Sequence, residues 1–375
     1  MFEPPFCPYK ACSHHVRPPA GPWWSHDGFH DTKCFGKVQR FRCDACGRSF
    51  STQTFSLDYY AKRRIDYRRL ERLGASSVSV RALGRDLGCS PDSVLNRFDR
   101  LARQAIACHA RLRPRARRHE DVSIDGFVSF DRSQYFPNNI TISVARDSRY
   151  VLSFTHATLR RSGSMREEQK KRRDLLYEGV AFERKALERS FTELLDGLAR
   201  ERSPGPGSPL VIATDEKLEY RRAFLRHRLF RGQDGGHRAV HLRMSSKLPR
   251  TFWNPIFPSN YLDREIRKDQ AAHRRESTCF ARSAANGLSR MASYVAWRNY
   301  AKPFLVKAPV AGRSSHGEEA GIPRAEIVRE RERMFRRRAF LSLERLDVLE
   351  DREWRKLVPT PGIAGPAYLP KYAFT

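Results

Sequence analysis

Three acidic residues and two pairs of thiols stand out by type and spacing. Asp125 interrupts the strand-like run "DVSIDGFVSF", on the face opposite Val122 and Ile124 by two-residue alternation. A carboxylate inside an apolar strand is costly unless it is paired or holds a cation. Asp215 follows the short, continuously apolar "PLVIAT", where a buried strand emerges. Functional groups collect at such strand ends in α/β folds, although an aspartate there also caps a following helix. Glu276 stands among cations in "RRESTCFARS". Phe280, Ala284, Leu288, Met291 and Val295 follow it at helical spacing. A helix beginning near Gln270 would place Glu276 at the head of that core-facing stripe, in early turns that favour an acid. An ion pair with Arg274 or Arg275 is the plainer use. Three acids converging at the end of a sheet repel one another unless they share cations. With two Mg²⁺ or Mn²⁺ ions, which prefer hard oxygen ligands, they make a site for in-line phosphoryl displacement.

The second chemistry is metal binding by sulfur. "CPYKAC" and "CDACG" each present two thiolates from a short loop, with 30 residues between the loops. Four soft ligands suit tetrahedral zinc, and the expected set is Cys7, Cys12, Cys43 and Cys46. Cys34, His14 and His15 are spare candidates. Gly47, directly after Cys46, fits the tight turn of such a knuckle. Five of the eight cysteines lie in the first 46 residues, which in a reducing compartment favours metal over disulfides.

The chain that positions these groups has 375 residues, enough for two or three domains. Its formal charge of +29 calls for a polyanionic partner, nucleic acid before an anionic membrane surface. No apolar run approaches the roughly 18 residues needed to span a bilayer. "MFEPPFCPYK" has no signal pattern, so the expected location is cytoplasmic.

After the cysteine-rich segment, residues 57–118 alternate apolar and basic positions at helical spacing. "SVRALGRDLG" reads as a short helix closed by Gly88. "CSPDSVLNRFDRLARQ" reads as a second, with Ser90 as N-cap, Pro91 at its first turn, and Val94, Leu95, Phe98 and Leu101 facing inward. This pattern predicts a helix-turn-helix that offers Ser93, Asn96, Arg97 and Arg100 to the major groove from its exposed side. From 119 the period changes to two. Three antiparallel strands precede a long charged helical stretch, the "PLVIAT" strand, a helix, a further strand at "HRAVHLRMSS" and a final helix. The tail from 311 is basic and helical, then rich in Pro and Gly. The sequence leaves open whether it packs on the core or holds nucleic acid.

The segments "CPYKAC…FRCDACGRSF", "VSVRALGRDLGCSPDSVLNRF", "SIDGF", "VIATDE" and "RRESTCFARS" together resemble bacterial insertion-sequence transposases of the DDE type. The resemblance covers roughly residues 1–310. It implies a zinc ribbon (1–56), a helix-turn-helix domain (57–118) and a ribonuclease H-like α/β catalytic domain with a mixed sheet (119–310), which leaves the basic helical tail (311–375) outside it. It implies Asp125, Asp215 and Glu276 as the Mg²⁺ triad, structural zinc, and Arg274, Arg275 and Arg282 on DNA. The implied partners are double-stranded DNA, at element ends and target, and further copies of the chain. The implied location is the nucleoid. Expected activity is cleavage at terminal inverted repeats and joining of the 3′ ends to target DNA. A non-catalytic, zinc-containing DNA-binding regulator is the alternative, and an RNA-processing nuclease on the same fold a third. The first knuckle has four intervening residues where two are commoner, and 89 residues separate Asp125 from Asp215.

Overall fold

The two thiol pairs sit beside a small antiparallel sheet made of β1 (Trp24–Thr32), β2 (Gly36–Cys43) and β3 (Ser49–Ser51). The computed structural model describes residues 2–204, 208–229, 238–245, 247–274, 278–309 and 312–374. A four-residue helix, α1 (Ser13–Val16), follows the first pair. Gly47 has φ +66°, as the knuckle turn requires. Trp23, Phe41, Phe50 and Phe55 form the core of this segment with Phe340 from the far end of the chain.

Helices α2 (Tyr67–Gly74), α3 (Val80–Asp86) and α4 (Pro91–Leu112) come next. Ser79 and Ser90 cap α3 and α4 through their side chains, Pro91 opens α4, and Gly88 takes φ +62° in the turn between them. A Cβ on Gly84 would lie 2.7 Å from the Cys89 carbonyl, so only glycine lets the two helices approach this closely. Val94, Phe98 and Leu101 are buried and Leu95 is half-buried. Beyond that stripe α4 continues as a buried rod, and Leu70, Leu83 and Leu101 share one cluster with Val122 and Ile124 of the main sheet.

That sheet contains β4 (Val122–Phe130), β5 (Pro137–Ala145), β6 (Val151–Thr158), β7 (Leu210–Thr214) and β8 (Ala239–Arg243). Among the described residues its order is β6-β5-β4-β7-β8. β4, β5 and β6 pair antiparallel, while β7 runs parallel to β4 and β8 parallel to β7. Two expected helices begin or end elsewhere, and a further helix, which the sequence pattern did not announce, follows β8. The long charged stretch divides into α5 (Glu167–Tyr177) and α6 (Ala186–Glu201), broken at Gly179 with φ +71° and Lys185 with φ +57°. After β7 comes α7 (Leu218–Arg226), and after β8 comes α8 (Phe257–Asp269). The helix expected from Gln270 starts instead at Ala284 as α9 (Ala284–Tyr300), with Ser283 as its cap. Ala281 is held in a β-bridge beside Asp131, and its carbonyl accepts from Arg132 N–H at 2.7 Å. Ala284, Leu288, Met291 and Val295 are buried as expected, but Phe280 lies outside the helix.

Helices α6 and α7 bury Phe191, Leu194, Tyr220 and Phe224 against one face of the sheet. On the other face α8 and α9 pack Leu262, Ile266, Leu288 and Met291 against Phe127, Ile140, Ile142 and Val144. The tail packs on the core. It contains α10 (His316–Glu319), α11 (Arg324–Arg336) and α12 (Val348–Trp354). Many of its charges meet opposite charges: Arg331 pairs with Glu71, Glu330 with Arg111, and Asp347 and Glu350 with Arg113.

Glu265 on α8 lies between Arg298, whose side chain is 0% exposed, and Lys302, each at 2.8 Å. Burial alone would push its carboxyl up, but the two cations outweigh burial and hold its pKa at about 2, against an ordinary 4.5. A depressed pKa means stability present above 4.5 and lost as pH falls toward 2. Glu265→Gln strips Arg298 of that charge and should cost about 3–5 kcal/mol in urea unfolding at neutral pH. The gap to the parent should narrow as the pH drops below the ordinary carboxyl range. A gap that is constant with pH would contradict this assignment.

Candidate functional site

The register of the parallel pair determines where the first two acids meet. Ile124 pairs with Thr214, so Asp125 and Asp215 follow side by side on adjacent strands. Both reach the same cation: Lys217 Nζ lies 2.9 Å from Asp215 Oδ2 and 3.4 Å from Asp125 Oδ1. Asp125 Oδ1 also accepts from its neighbour Gly126 N–H at 2.7 Å, and Asp215 Oδ1 accepts from Lys217 N–H at 3.2 Å. Asp215 therefore shapes the turn into α7 while its other oxygen faces the shared cation. Asn139 occupies the place a Cβ on Gly126 would need.

Burial raises the Asp125 pKa; Lys217 offsets part of this and Asp215 adds to it. Burial also disfavours the Lys217 ammonium, yet Tyr220 and the two carboxylates outweigh it and hold the lysine pKa above its ordinary value. The Lys217 ammonium lies 4.9 Å from the centre of the Tyr220 ring. His241 on β8 meets the Thr214 hydroxyl at 2.8 Å. Burial, with Arg243 next in weight, lowers its pKa to about 4, so it is neutral at physiological pH. Two carboxylates converge on one cationic position, with a neutral imidazole nearby.

Glu276 and Arg275 lie outside the described residues. Sequence reasoning passed over another carboxylate, Asp263 on α8. That helix runs along β4, with Ser259 Oγ 2.6 Å from Ser123 Oγ and Arg267 donating to the Val128 carbonyl at 3.4 Å. Leu262 and Ile266 point at the sheet. Tyr261 and Glu265 turn toward Arg149 and Arg298, near β5 and β6. At 100° per residue, Asp263 and Arg267 fall on the opposite flank, where Arg267 lies over the Phe127 ring of β4. Asp263 accepts from Arg267 at 2.9 Å. The available signal was "YLDREIRKD", an acid beside the core positions Leu262 and Ile266. Lys217 was also missed. It lies two residues after Asp215, and only the folded turn brings it back between the acids.

The four expected sulfurs do come together. The Sγ atoms of Cys7, Cys12, Cys43 and Cys46 all lie within 4.8 Å of one another, with two separations of 3.7 Å. Four sulfurs about 2.3 Å from one zinc ion would be spaced about 3.8 Å apart, so this cluster fits tetrahedral zinc. The spares do other things. Cys34 donates to the Lys62 carbonyl, His15 bonds Cys7 O and Ser342 Oγ, and His14 Nδ1 stands 3.8 Å from Cys43 Sγ.

Two of the residues assigned to the groove face inward. Arg97 donates to the Arg63 carbonyl at 2.8 Å, and Arg100 to the carbonyls of Leu57 and Tyr59 at 2.8 and 2.6 Å; both are buried. The segment before α2 folds back over them, and its carbonyls need donors. Asn96 is exposed and Ser93 half-buried, and the exposed cations around the turn are Lys62, Arg63, Arg64, Arg81 and Arg85. Arg274 and Arg282 are exposed, Arg282 lying over the Phe280 ring at 5.3 Å.

No family model and no curated protein matches the chain. Among solved structures it is similar to a chain of the simian T-cell lymphotropic virus intasome in complex with PP2A regulatory subunit B56 gamma. Identity is 12%, coverage 69% of this chain and 74% of that one, and the TM-score is 0.27. So low a score carries no argument about fold or function. Among the described residues, no helix is long and apolar enough to cross a membrane.

Proposed function

We propose that the protein is a DNA transposase that cuts at the ends of its own element and joins the 3′ ends to target DNA. The observation that carries this reading is the pairing of Asp125 and Asp215 from adjacent parallel strands around one cationic position. The Lys217 ammonium stands in for a metal cation there, and the hard carboxylate oxygens suit Mg²⁺ or Mn²⁺. A divalent cation bound here supplies charge neutralisation at the scissile phosphate and activation of the attacking oxygen. Asp125 and Asp215 would hold it, and Lys217 would swing toward the phosphate backbone. The third ligand is Glu276, as the resemblance implies, or Asp263 of α8, the helix that packs along β4.

The strand order and directions described above are those expected of a ribonuclease H-like sheet, and the ordering of a four-cysteine segment before a helix-turn-helix agrees with such an enzyme. In this reading Ser93, Asn96 and the exposed cations Lys62, Arg63, Arg64, Arg81 and Arg85 contact DNA. Arg97 and Arg100 hold the reading head together instead of touching bases. Arg274, Arg275 and Arg282 would hold phosphates near the acids, and two ends would be joined by a homo-oligomer assembled on DNA.

One observation favours the second reading, a DNA-binding regulator without catalysis: Lys217 already occupies the position between both acids. Incubation with supercoiled plasmid separates the two. The enzyme nicks with Mg²⁺ or Mn²⁺ and not with Ca²⁺ alone. A regulator binds without nicking under every metal. Binding should weaken steeply with salt in both cases, since each phosphate contact releases counterions, and a salt-insensitive affinity would remove nucleic acid as the partner.

A further inference from the structure

The loop between β8 and α8 keeps large apolar surface in water. Every residue of "KLPRTFW", Lys247 to Trp253, is exposed, with Trp253 at 84% and Phe252 at 66%. Single exposed apolar residues are ordinary, but two adjacent rings with cations around them need a reason. Local bonds build this loop. The buried Asn254 donates its amide to the Pro249 carbonyl at 3.0 Å, and its side-chain oxygen accepts from Ile256 N–H at 3.1 Å. Its backbone N–H bonds Thr251 O at 3.0 Å, closing the turn that carries both rings. The backbone bonds are thus satisfied locally while the rings project outward.

Behind the rings lies an aromatic shelf. Phe252 meets Trp253 and Phe257 edge-on, each with ring centres 5.9 Å apart. The Arg149 guanidinium lies over Phe252, Phe257, Tyr261 and Phe304, between 4.9 and 5.9 Å from their centres. The exposed run has two cations, Lys247 and Arg250, and no carboxylate. Both ends of the loop are anchored beside the paired acids. Met244 N–H bonds the carbonyl of Thr214, the residue before Asp215, and Ser259 bonds Ser123, two residues before Asp125.

We propose that Phe252 and Trp253 form a stacking platform for an unpaired base of a nucleic-acid strand, with Lys247 and Arg250 on its phosphates. Every base has a π face, and aromatic rings flanked by cations are the general means of holding single strands. Bases inside an intact duplex are already stacked on each other, so a protruding indole takes one that is extruded or single-stranded. A second copy of the chain is the poorer occupant of this loop, because Lys247 and Arg250 would face the same two cations with no carboxylate in the run to meet them. The site rests on the proposed function for its partner, nucleic acid, and not for the cleavage chemistry.

The test is fluorescence anisotropy of the full, zinc-loaded chain without magnesium, on a labelled single-stranded oligonucleotide and on its duplex. Trp253→Ala should weaken single-strand binding about tenfold or more while changing duplex binding by less than about twofold. Trp253→Phe should restore most of the loss. The strand should quench tryptophan emission in the parent, and that component should vanish in Trp253→Ala. Trp253 is exposed, so the variant should melt like the parent. Equal single-strand affinity for the parent and Trp253→Ala overturns the proposal. So does a changed oligomeric state in sedimentation with both DNA affinities intact, which would make the loop a self-association surface. A parent that binds neither strand nor duplex overturns the proposed function as well, a result distinct from a parent that binds while Trp253→Ala makes no difference.

Discussion

Asp125→Asn should lower magnesium-dependent plasmid nicking by roughly three orders of magnitude or more while leaving the protein folded and bound to DNA. The amide has the carboxylate's shape, and its oxygen can keep the 2.7 Å bond from Gly126 N–H. Lys217 keeps Asp215 at 2.9 Å. Asp125 holds its proton more tightly folded than unfolded, because burial raises its pKa. Its ionised form therefore costs the fold stability, and a neutral replacement should melt at the same temperature or slightly higher. Asp215→Asn should lose cleavage to the same degree. The third ligand is decided by Glu276→Gln against Asp263→Asn, since the variant that loses cleavage without losing DNA binding identifies it. Nicking by Asp125→Asn at the parent's rate would leave the aspartate pair with a structural role only.

The second large effect concerns the four-cysteine cluster. Zinc removal, or Cys43→Ser, should unravel the N-terminal segment, because structural zinc contributes on the order of 10–16 kcal/mol in small folds of this kind. Without the metal this segment rests on the core of Trp23, Phe41, Phe50 and Phe55. The loss should spread to the opposite end of the sequence. Phe340 packs into that core, and Ser342 bonds His15 at 2.7 Å. Hydrogen exchange should therefore lose protection in residues 24–51 and around 338–343 together, while the main sheet stays protected. Burial pushes the Cys7 and Cys43 thiols up, so at neutral pH the metal-free cluster holds protons that zinc must displace. Zinc affinity should fall as the pH falls. Unchanged protection of residues 24–51 after metal removal would refute a structural metal here.

Local pattern was enough for several features. Ser90, Pro91 and Gly88 mark the boundaries of α4 and its preceding turn, because caps and positive-φ turns depend on neighbouring residues alone. The Cys pairs were legible for the same reason, whereas β4 did not keep the expected alternation: Ser123 and Phe127 are buried with Val122 and Ile124, and Val128 is exposed. The stripe at Leu288, Met291 and Val295 was real, but its helix did not run back to Phe280. The Ala281–Asp131 bridge that stops it lies between residues 150 positions apart.

The same division holds for the candidate site. Sequence by itself determined which residue types were available: two aspartates at strand positions, four thiols at ligand spacing, and a large excess of arginine and lysine. Tertiary structure alone decided their arrangement. The parallel register brings Asp125 beside Asp215, the α7 turn carries Lys217 between them, and the fold-back of residues 57–63 buries Arg97 and Arg100. It also seats the tail on the core, where Arg331 and Glu330 meet Glu71 and Arg111. Composition counts charges but does not pair them. Whether a cation neutralises a buried partner or faces solvent depends on distances of a few ångströms between residues far apart in the chain.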